Sequence, residues 1–391
     1  MENIVKTMVL IIWISISIFE ITTYFLINPK PVYFRAWEAV SNYTGKDASV
    51  ASFKPHFIYD GTMTGDLLIG MKFKALPSEI RKQLFVVDEY GYRNYPGFLN
   101  STKIDAVVVG SSFVGGGQET QENLVSEILT NHWDIPTYNS TTSIQYFWED
   151  ERFVKNKPKY VIYLGSEGEV INSMWQYSIV DKGITKSPRA WNSYEEWSRE
   201  NEEFPWAFDK FSARLKDYSL FRYYINNAHI SLLNALFSRE RIAQFTTHNV
   251  MTYNPDMKVI FYQQQYDIPL INTPGKTEAD IQIAIKELIN TKEKLKSKGI
   301  TFIVAGMPSK THLGLKKYRN ISDDSRALYL FNKELKKAGI EYVDLLTPSL
   351  EITKELGRHL YFPDDSHWNS EANVLISRLL KEKINELNLA E

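Results

Sequence analysis

Two short runs, far apart in the chain, hold the residue types needed for nucleophilic chemistry: Val107-Val108-Val109-Gly110-Ser111-Ser112-Phe113 and Pro363-Asp364-Asp365-Ser366-His367-Trp368-Asn369. An aliphatic run that ends in small polar residues reads as a buried parallel strand whose carboxyl end presents a side chain to solvent. Ser112 is the candidate nucleophile. A serine hydroxyl reacts poorly near neutral pH unless a base takes its proton, and His367, with Asp364 and Asp365 before it, offers a base and a carboxylate to orient it. One aspartate, not both, can hold the imidazole Nδ1.

The totals narrow the alternatives. The chain has 391 residues, enough for one large domain with additions or for two. Its 43% hydrophobic and 14% aromatic content exclude a mainly disordered chain, and a net charge of -2 gives no footprint for nucleic acid. The absence of cysteine removes disulfides, thiolate nucleophiles and cysteine metal sites. His56, His132, His229, His248, His312 and His359 show no metal-ligand spacing, so neither a metal nor a cofactor is expected. Gly115-Gly116-Gly117 follows Ser112, but without the Gly-Lys-Ser/Thr ending of a phosphate loop. It is read instead as a place where backbone approaches a substrate or supplies N–H donors.

The elements that must position these residues alternate. Strands are expected at Ile104–Gly110, Tyr160–Leu164, Thr301–Ala305 and Tyr342–Leu345, and helices at Thr120–Asn131, Thr277–Lys298, Ser325–Lys337 and Ser370–Leu387. Such alternation implies right-handed crossovers and an α/β domain with a parallel sheet between helical layers, here over 101–391. The rhythm breaks over 172–275, a stretch rich in aromatic residues with Trp175, Trp191, Trp197 and Trp206, which is read as an inserted, mostly helical cap. Its tryptophans suit either sugar stacking or a cap core. Residues 29–100 read as a membrane-proximal lead-in. Ile4 to Ile27 is almost continuously apolar apart from Lys6, Glu20 and a few Ser/Thr residues, and about 20 such residues suffice to cross a bilayer. With no small-x-small cleavage site before Asn28-Pro29-Lys30, residues 1–28 are expected to be an uncleaved single-pass anchor, leaving the rest extracytoplasmic.

Four segments resemble the SGNH/GDSL-type hydrolases, and within them the membrane-anchored envelope branch that includes the alginate O-acetyltransferase proteins. Asp88-Glu89-Tyr90-Gly91-Tyr92-Arg93-Asn94 is similar to that branch's lead-in, and Gly110-Ser111-Ser112-Phe113 to the first block, with Ser111 at the aspartate position. Met307-Pro308-Ser309-Lys310 resembles a Pro-x-Lys after a central strand, and Asp365-Ser366-His367-Trp368-Asn369 an Asp-x-His-Trp-Asn block. The resemblance implies a three-layer, flavodoxin-like α/β fold with Ser112 and His367 as nucleophile and base. Because Trp368-Asn369 follows, the resemblance implies Asp365, where the alginate type carries its orienting aspartate, with Asp364, where ordinary members carry theirs, as the alternative; the other aspartate would then be solvated or cap the final helix. It also implies an oxyanion hole from the backbone at Ser112 and Ser143 and from the position of Glu167, where an asparagine is usual. A carboxylate there would repel a developing oxyanion unless protonated or turned away.

The expected function is that of an extracytoplasmic serine esterase or O-acyltransferase, with acetyl as the expected group. It would act on a cell-envelope or exported polysaccharide through an acyl-serine. The resemblance further implies an integral-membrane acyltransferase as donor partner, which Glu20 would contact. The rival expectation is a catalytically silent relative that binds polysaccharide or scaffolds an envelope assembly, and convergence of Ser112, His367 and an aspartate separates the two.

Overall fold

The computed structural model describes residues 2–26, 53–140, 152–153, 156–172, 189–201, 220–245, 251–262, 268–355 and 359–390. Five strands form one parallel sheet: β3 (Ala106–Val109), β4 (Thr137–Ser140), β5 (Tyr160–Ser166), β8 (Thr301–Met307) and β9 (Glu341–Asp344), in the order β4-β3-β5-β8-β9. Counted within the sheet this is 2-1-3-4-5, the flavodoxin-like order. The direction of winding reverses between β3 and β5. The crevice at the carboxyl ends of those two strands is where open α/β sheets place ligands, and both β3 and β5 lead directly into the candidate site.

Strands buried on both faces must be apolar throughout, and Val107, Val108, Val161, Ile162, Ile303 and Val304 are all shielded from solvent. Helices Glu278–Ser297 and Ala327–Lys337 cover one face through Ile281, Leu288, Leu328 and Phe331. Val125–Trp133 and Ser370–Ala390 cover the other through Leu129, Leu375, Ile376 and Leu380. Each such side chain contributes on the order of 1.5–3 kcal/mol by leaving water. Thr277 caps its helix, accepting from Asp280 N–H at 3.1 Å while Thr277 N–H donates to the Asp280 carboxylate at 2.8 Å.

Differences from the expected elements have local causes. The helix expected from Thr120 begins at Val125, because Gln121–Asn123 forms a tighter turn that buries the Gln121 side chain against β2 (Arg81–Val86) and Arg93. Thr137–Ser140 carries no aliphatic strand signal, yet it is edge strand β4, with Tyr138 and Asn139 paired by Asp88, Asn94 and Val114.

The lead-in does more than connect. Its described part contains an antiparallel hairpin of β1 (Ile58–Met63) and β2, and the short helix Asp66–Gly70. Gln83 of β2 donates to the carbonyls of Gly117 and Glu119, both at 2.9 Å, so the hairpin lies under the glycine turn. The insert has helices Tyr194–Asn201, Leu220–Leu236 and Arg239–Phe245, but it also contains the antiparallel pair β6 (Met251–Asn254) and β7 (Val259–Tyr262). That pair docks on the histidine loop through Ile260 N–H and Pro363 O at 2.8 Å. Trp191 and Trp197 are buried rather than exposed as a sugar platform, and Trp191 N–H donates to Glu89 O of the lead-in at 3.0 Å. Trp175 and Trp206 lie outside the described residues. Residues 2–26 form one helix, with Ile4, Met8, Leu10, Ile12 and Trp13 exposed. Its side chains are described from 4 to 19, and among the described residues no helix is long and apolar enough to cross a membrane.

Candidate active site

β3 ends at Val109, and the chain then turns tightly. Val114 and Gly115 N–H donate to Ser111 O at 3.0 and 3.1 Å, Gly116 N–H to Phe113 O at 3.2 Å, and Gly117 N–H to Ser112 O at 3.1 Å. The turn leaves the Ser112 side chain exposed. It also consumes the three glycine N–H groups, so the expected role of Gly115-Gly116-Gly117 as donors to a substrate is corrected. Their small size is what matters. Gly117 has φ +29°, and a Cβ there would lie 2.5 Å from the His367 ring. Gly116 has φ +76°, and a Cβ would lie 2.6 Å from an Arg93 guanidinium nitrogen.

Arg93 is fully buried beneath this turn. Its guanidinium donates to Gly115 O and Glu119 O, both at 2.6 Å, to Leu84 O at 3.1 Å and to Gln121 at 3.2 Å, with the Phe85 ring against it at 3.9 Å. Burial lowers its pKa to about 9 despite Glu119 and Glu127, which still leaves it charged near neutrality. The Asp88–Asn94 segment is therefore the floor of the nucleophile turn. Asp88 organises it, accepting from Tyr90 and Tyr92 N–H at 2.9 Å, Asn94 at 3.0 Å and the Tyr138 hydroxyl at 2.6 Å. Arg93→Met keeps the volume but removes the guanidinium donor from the carbonyls of Gly115, Leu84 and Glu119, of which Glu119 keeps Gln83. It should destabilise the fold by about 3–5 kcal/mol, the cost of breaking a buried charged network by removing one side, read as a lower midpoint in chemical denaturation.

The base arrives from the opposite end of the chain. His367 Nε2 lies 3.0 Å from Ser112 Oγ, and Nδ1 lies 2.7 Å from Asp365 Oδ1. Asp365 is wholly buried; its Oδ1 also accepts His367 N–H at 2.8 Å, and its Oδ2 accepts Asp66 N–H at 2.8 Å. Phe113 packs its ring 4.7 Å from the imidazole and 4.6 Å from Trp368, which fixes the plane of the base. Lys310 Nζ donates to Pro363 O at 3.1 Å and to Asp365 O at 2.9 Å, so the Pro-x-Lys segment clamps the loop that carries the base. Burial would raise the Asp365 pKa, but His367 and the surrounding donors hold it well below the usual carboxylate range. Burial pulls the His367 pKa down, yet Asp365, with Asp66 and Glu169 adding negative charge, outweighs it and the net shift is upward. Asp364 is engaged elsewhere, in a two-point pair with Arg81 at 2.8 and 3.2 Å and with Gly65 N–H at 2.8 Å. Nothing of Asp364 reaches the imidazole, and it neither caps the final helix nor faces water.

Ser112, His367 and Asp365 thus form a hydrogen-bonded chain of hydroxyl, imidazole and carboxylate at the switch point of a 2-1-3-4-5 sheet. The family comparison agrees. Residues 261–389 match the SGNH hydrolase-like domain of the acetyltransferase AlgX. The match bears out the resemblance to the alginate O-acetyltransferase proteins over the part of the chain that carries Lys310, Asp365 and His367, while Ser112 is joined to it by geometry. A comparison with curated proteins finds no match.

An SGNH-like site also needs donors for an oxyanion, and here the sequence expectation is corrected at Glu167. Its carboxylate turns away from Ser112 into a buried cluster, accepting from Ser309 N–H at 3.1 Å, meeting His312 Nδ1 at 3.1 Å and lying 3.8 Å from Lys276 Nζ. Arg326 closes the cluster against His312 Nε2. Burial alone would raise the Glu167 pKa; Lys276 and His312 overcome it and hold it at about 2, an ionised group facing away from the reacting atoms. Ser143 lies outside the described residues.

Two carboxylates near the base escaped the sequence reading. Glu169 accepts from Ser166 N–H at 2.8 Å and from the Ser111 hydroxyl, tying the end of β5 to the residue before the nucleophile, and burial raises its pKa. Asp66 approaches His367 through Ser366. No motif signals either residue: Asp66 comes from the lead-in away from its Asp88–Asn94 block, and Glu169 stands two positions beyond the Glu167 site. Asp66, Asp365 and His367 offer ligand atoms within 4.8 Å of one another, yet those atoms are engaged by Ser366, by backbone N–H groups and by each other.

Proposed function

We propose that this protein is a serine esterase or O-acyltransferase working through an acyl-serine, with a cell-envelope or exported polysaccharide as acceptor or substrate and acetyl as the group moved. The observation that carries this reading is the continuous path from Ser112 Oγ through His367 to Asp365, with spacings of 3.0 and 2.7 Å. Ser112 Oγ would attack the acyl carbonyl as its proton passes to His367 Nε2; the imidazolium, steadied by Asp365, then returns that proton to the leaving oxygen. Water or a sugar hydroxyl would release the acyl group in a second pass of the same steps, with His367 as base again. The match to a domain of an acetyltransferase favours transfer over hydrolysis.

As part of this proposal residues 1–28 anchor the chain in a membrane, a reading that the exposed Ile4, Val5, Met8, Leu10 and Ile12 support, and Lys6 on the inner side leaves the main domain extracytoplasmic. An integral-membrane acyltransferase would then supply the acyl group, with Glu20 as a contact.

His367 must be neutral to accept the Ser112 proton, and its pKa is raised. The acid limb of kcat/KM for an activated acetyl ester should therefore have its midpoint above the ordinary histidine value of about 6.5, with activity lost as pH falls through it. A profile flat from pH 5 to 8, or an acid limb at carboxylate values, would remove His367 from the reaction. Acetate appearing on added polysaccharide hydroxyls, at the expense of free acetate, distinguishes transfer from hydrolysis.

A further inference from the structure

Loop 364–367 is held from behind by the lead-in, and the hold is reciprocal. Gly65 N–H donates to Asp364 Oδ2 and Asp66 N–H to Asp365 Oδ2, both at 2.8 Å, while Leu68 N–H donates to Asp364 O at 3.2 Å. In return, Ser366 N–H donates to Asp66 Oδ1 at 2.8 Å and Ser366 Oγ–H to Asp66 Oδ2 at 2.6 Å. A hydroxyl has one proton. With that proton given to Asp66, the lone pairs of Ser366 Oγ face His367 Nδ1 at 3.4 Å, so the Nδ1–H points mainly at Asp365 and has Ser366 as a second, longer acceptor.

We propose that Asp66 is a positioning residue for the base: its carboxylate fixes the Ser366 hydroxyl as an acceptor toward His367 Nδ1 and sets a second negative charge behind the imidazole. The proposal rests on the reading of His367 as base. It makes the lead-in part of the proton relay, which explains why a segment 300 residues upstream closes on this loop. The charged groups that act most on the imidazole are carboxylates: Asp365 on its own loop, Asp66 from Asp66–Gly70 and Glu169 from Glu167–Ile171. The nearby cations are committed elsewhere, Arg81 to Asp364 and Lys310 to backbone carbonyls. Imidazolium formation is thereby favoured at the moment the serine loses its proton. Burial and the Asp365 charge raise the Asp66 pKa to about 6, so the second charge is present above that pH and fades below it.

Asp66→Asn in the full chain tests this, because the amide oxygen can still accept Ser366 N–H and keep the clasp while the charge is gone. Following His367 by NMR titration of its labelled imidazole, the pKa should fall by about half a unit to one unit. The kcat for an activated acetyl ester at pH 7.5 should drop about tenfold, with KM within about twofold. If the His367 titration and kcat both match the parent, Asp66 is a structural clasp and the proposal is overturned. Should Asp66→Asn fail to fold, Ser366→Ala removes the linking hydroxyl and leaves the backbone clasp; it should shift His367 in the same direction by a smaller amount, and an unshifted titration overturns the proposal equally. The two readings separate cleanly. A parent that never turns over ester, with a His367 titration that still responds to Asp66→Asn, loses the enzymatic function and keeps only the coupling of Asp66 to the imidazole, whereas an active parent whose His367 is indifferent to Asp66→Asn keeps the function and loses the positioning role.

Discussion

Replacing Asp365 with Asn should lower kcat by about ten-thousandfold, the scale set by removing the orienting charge of a Ser-His-Asp triad. The cause is tautomeric. Asp365 Oδ1 takes both the Nδ1 proton and His367 N–H while Oδ2 takes Asp66 N–H, so an amide must set its NH2 group against the donors on one side or the other. If that NH2 group meets Nδ1, the imidazole carries its proton on Nε2, where it can no longer accept one from Ser112 Oγ at 3.0 Å. Binding should change little, because Asp365 is wholly buried and touches no open surface. The neighbouring substitution is the control. Asp364→Asn disrupts the Arg81 pair and should act on stability, moving kcat by less than about tenfold, since Asp364 makes no contact with the imidazole. Steady-state kinetics of both variants with one activated ester decides between the two aspartates. Equal losses, or a larger loss at Asp364, would return the assignment to the spacing seen in ordinary SGNH members.

The aspartate choice shows how much of the site the sequence carries. Ser112 and His367 are legible because chemistry restricts them to few residue types at strand ends and because their flanks are distinctive. Asp364 and Asp365 differ as text only in their spacing to His367-Trp368-Asn369, which favours Asp365, and the choice is made by their three-dimensional partners: Arg81 and Gly65 for one, His367 and Asp66 for the other. The parallel sheet is legible from Val107–Val109, Tyr160–Leu164 and Thr301–Ala305, since strands buried on both faces are apolar runs. β4 is not, because Thr137–Ser140 satisfies its polar groups with Asp88, Asn94 and Val114, contacts that no local pattern encodes.

The lead-in is illegible for a related reason. Gln83 and Asp66 look like ordinary polar residues in a mixed stretch, and Arg93 stands in the recognisable Asp88–Asn94 block without its role being written there; all three support the glycine turn and the base loop from tens to hundreds of residues away. Glu167 is the opposite case. Its position matches the place of an oxyanion donor, and only the burial of Lys276 and His312 beside it explains why a carboxylate stands there.

The central claim is that Ser112 carries the acyl group, and intact mass tests it most directly. Brief exposure of the full chain to an activated acetyl ester, quenched in acid, should add one acetyl group to the parent, placed on Ser112 by peptide mapping. Ser112→Ala and His367→Ala should gain none on the same time scale. A parent that acquires no acetyl, or a Ser112→Ala protein that acquires it equally, would contradict the acyl-serine and leave polysaccharide binding without turnover as the function to assay.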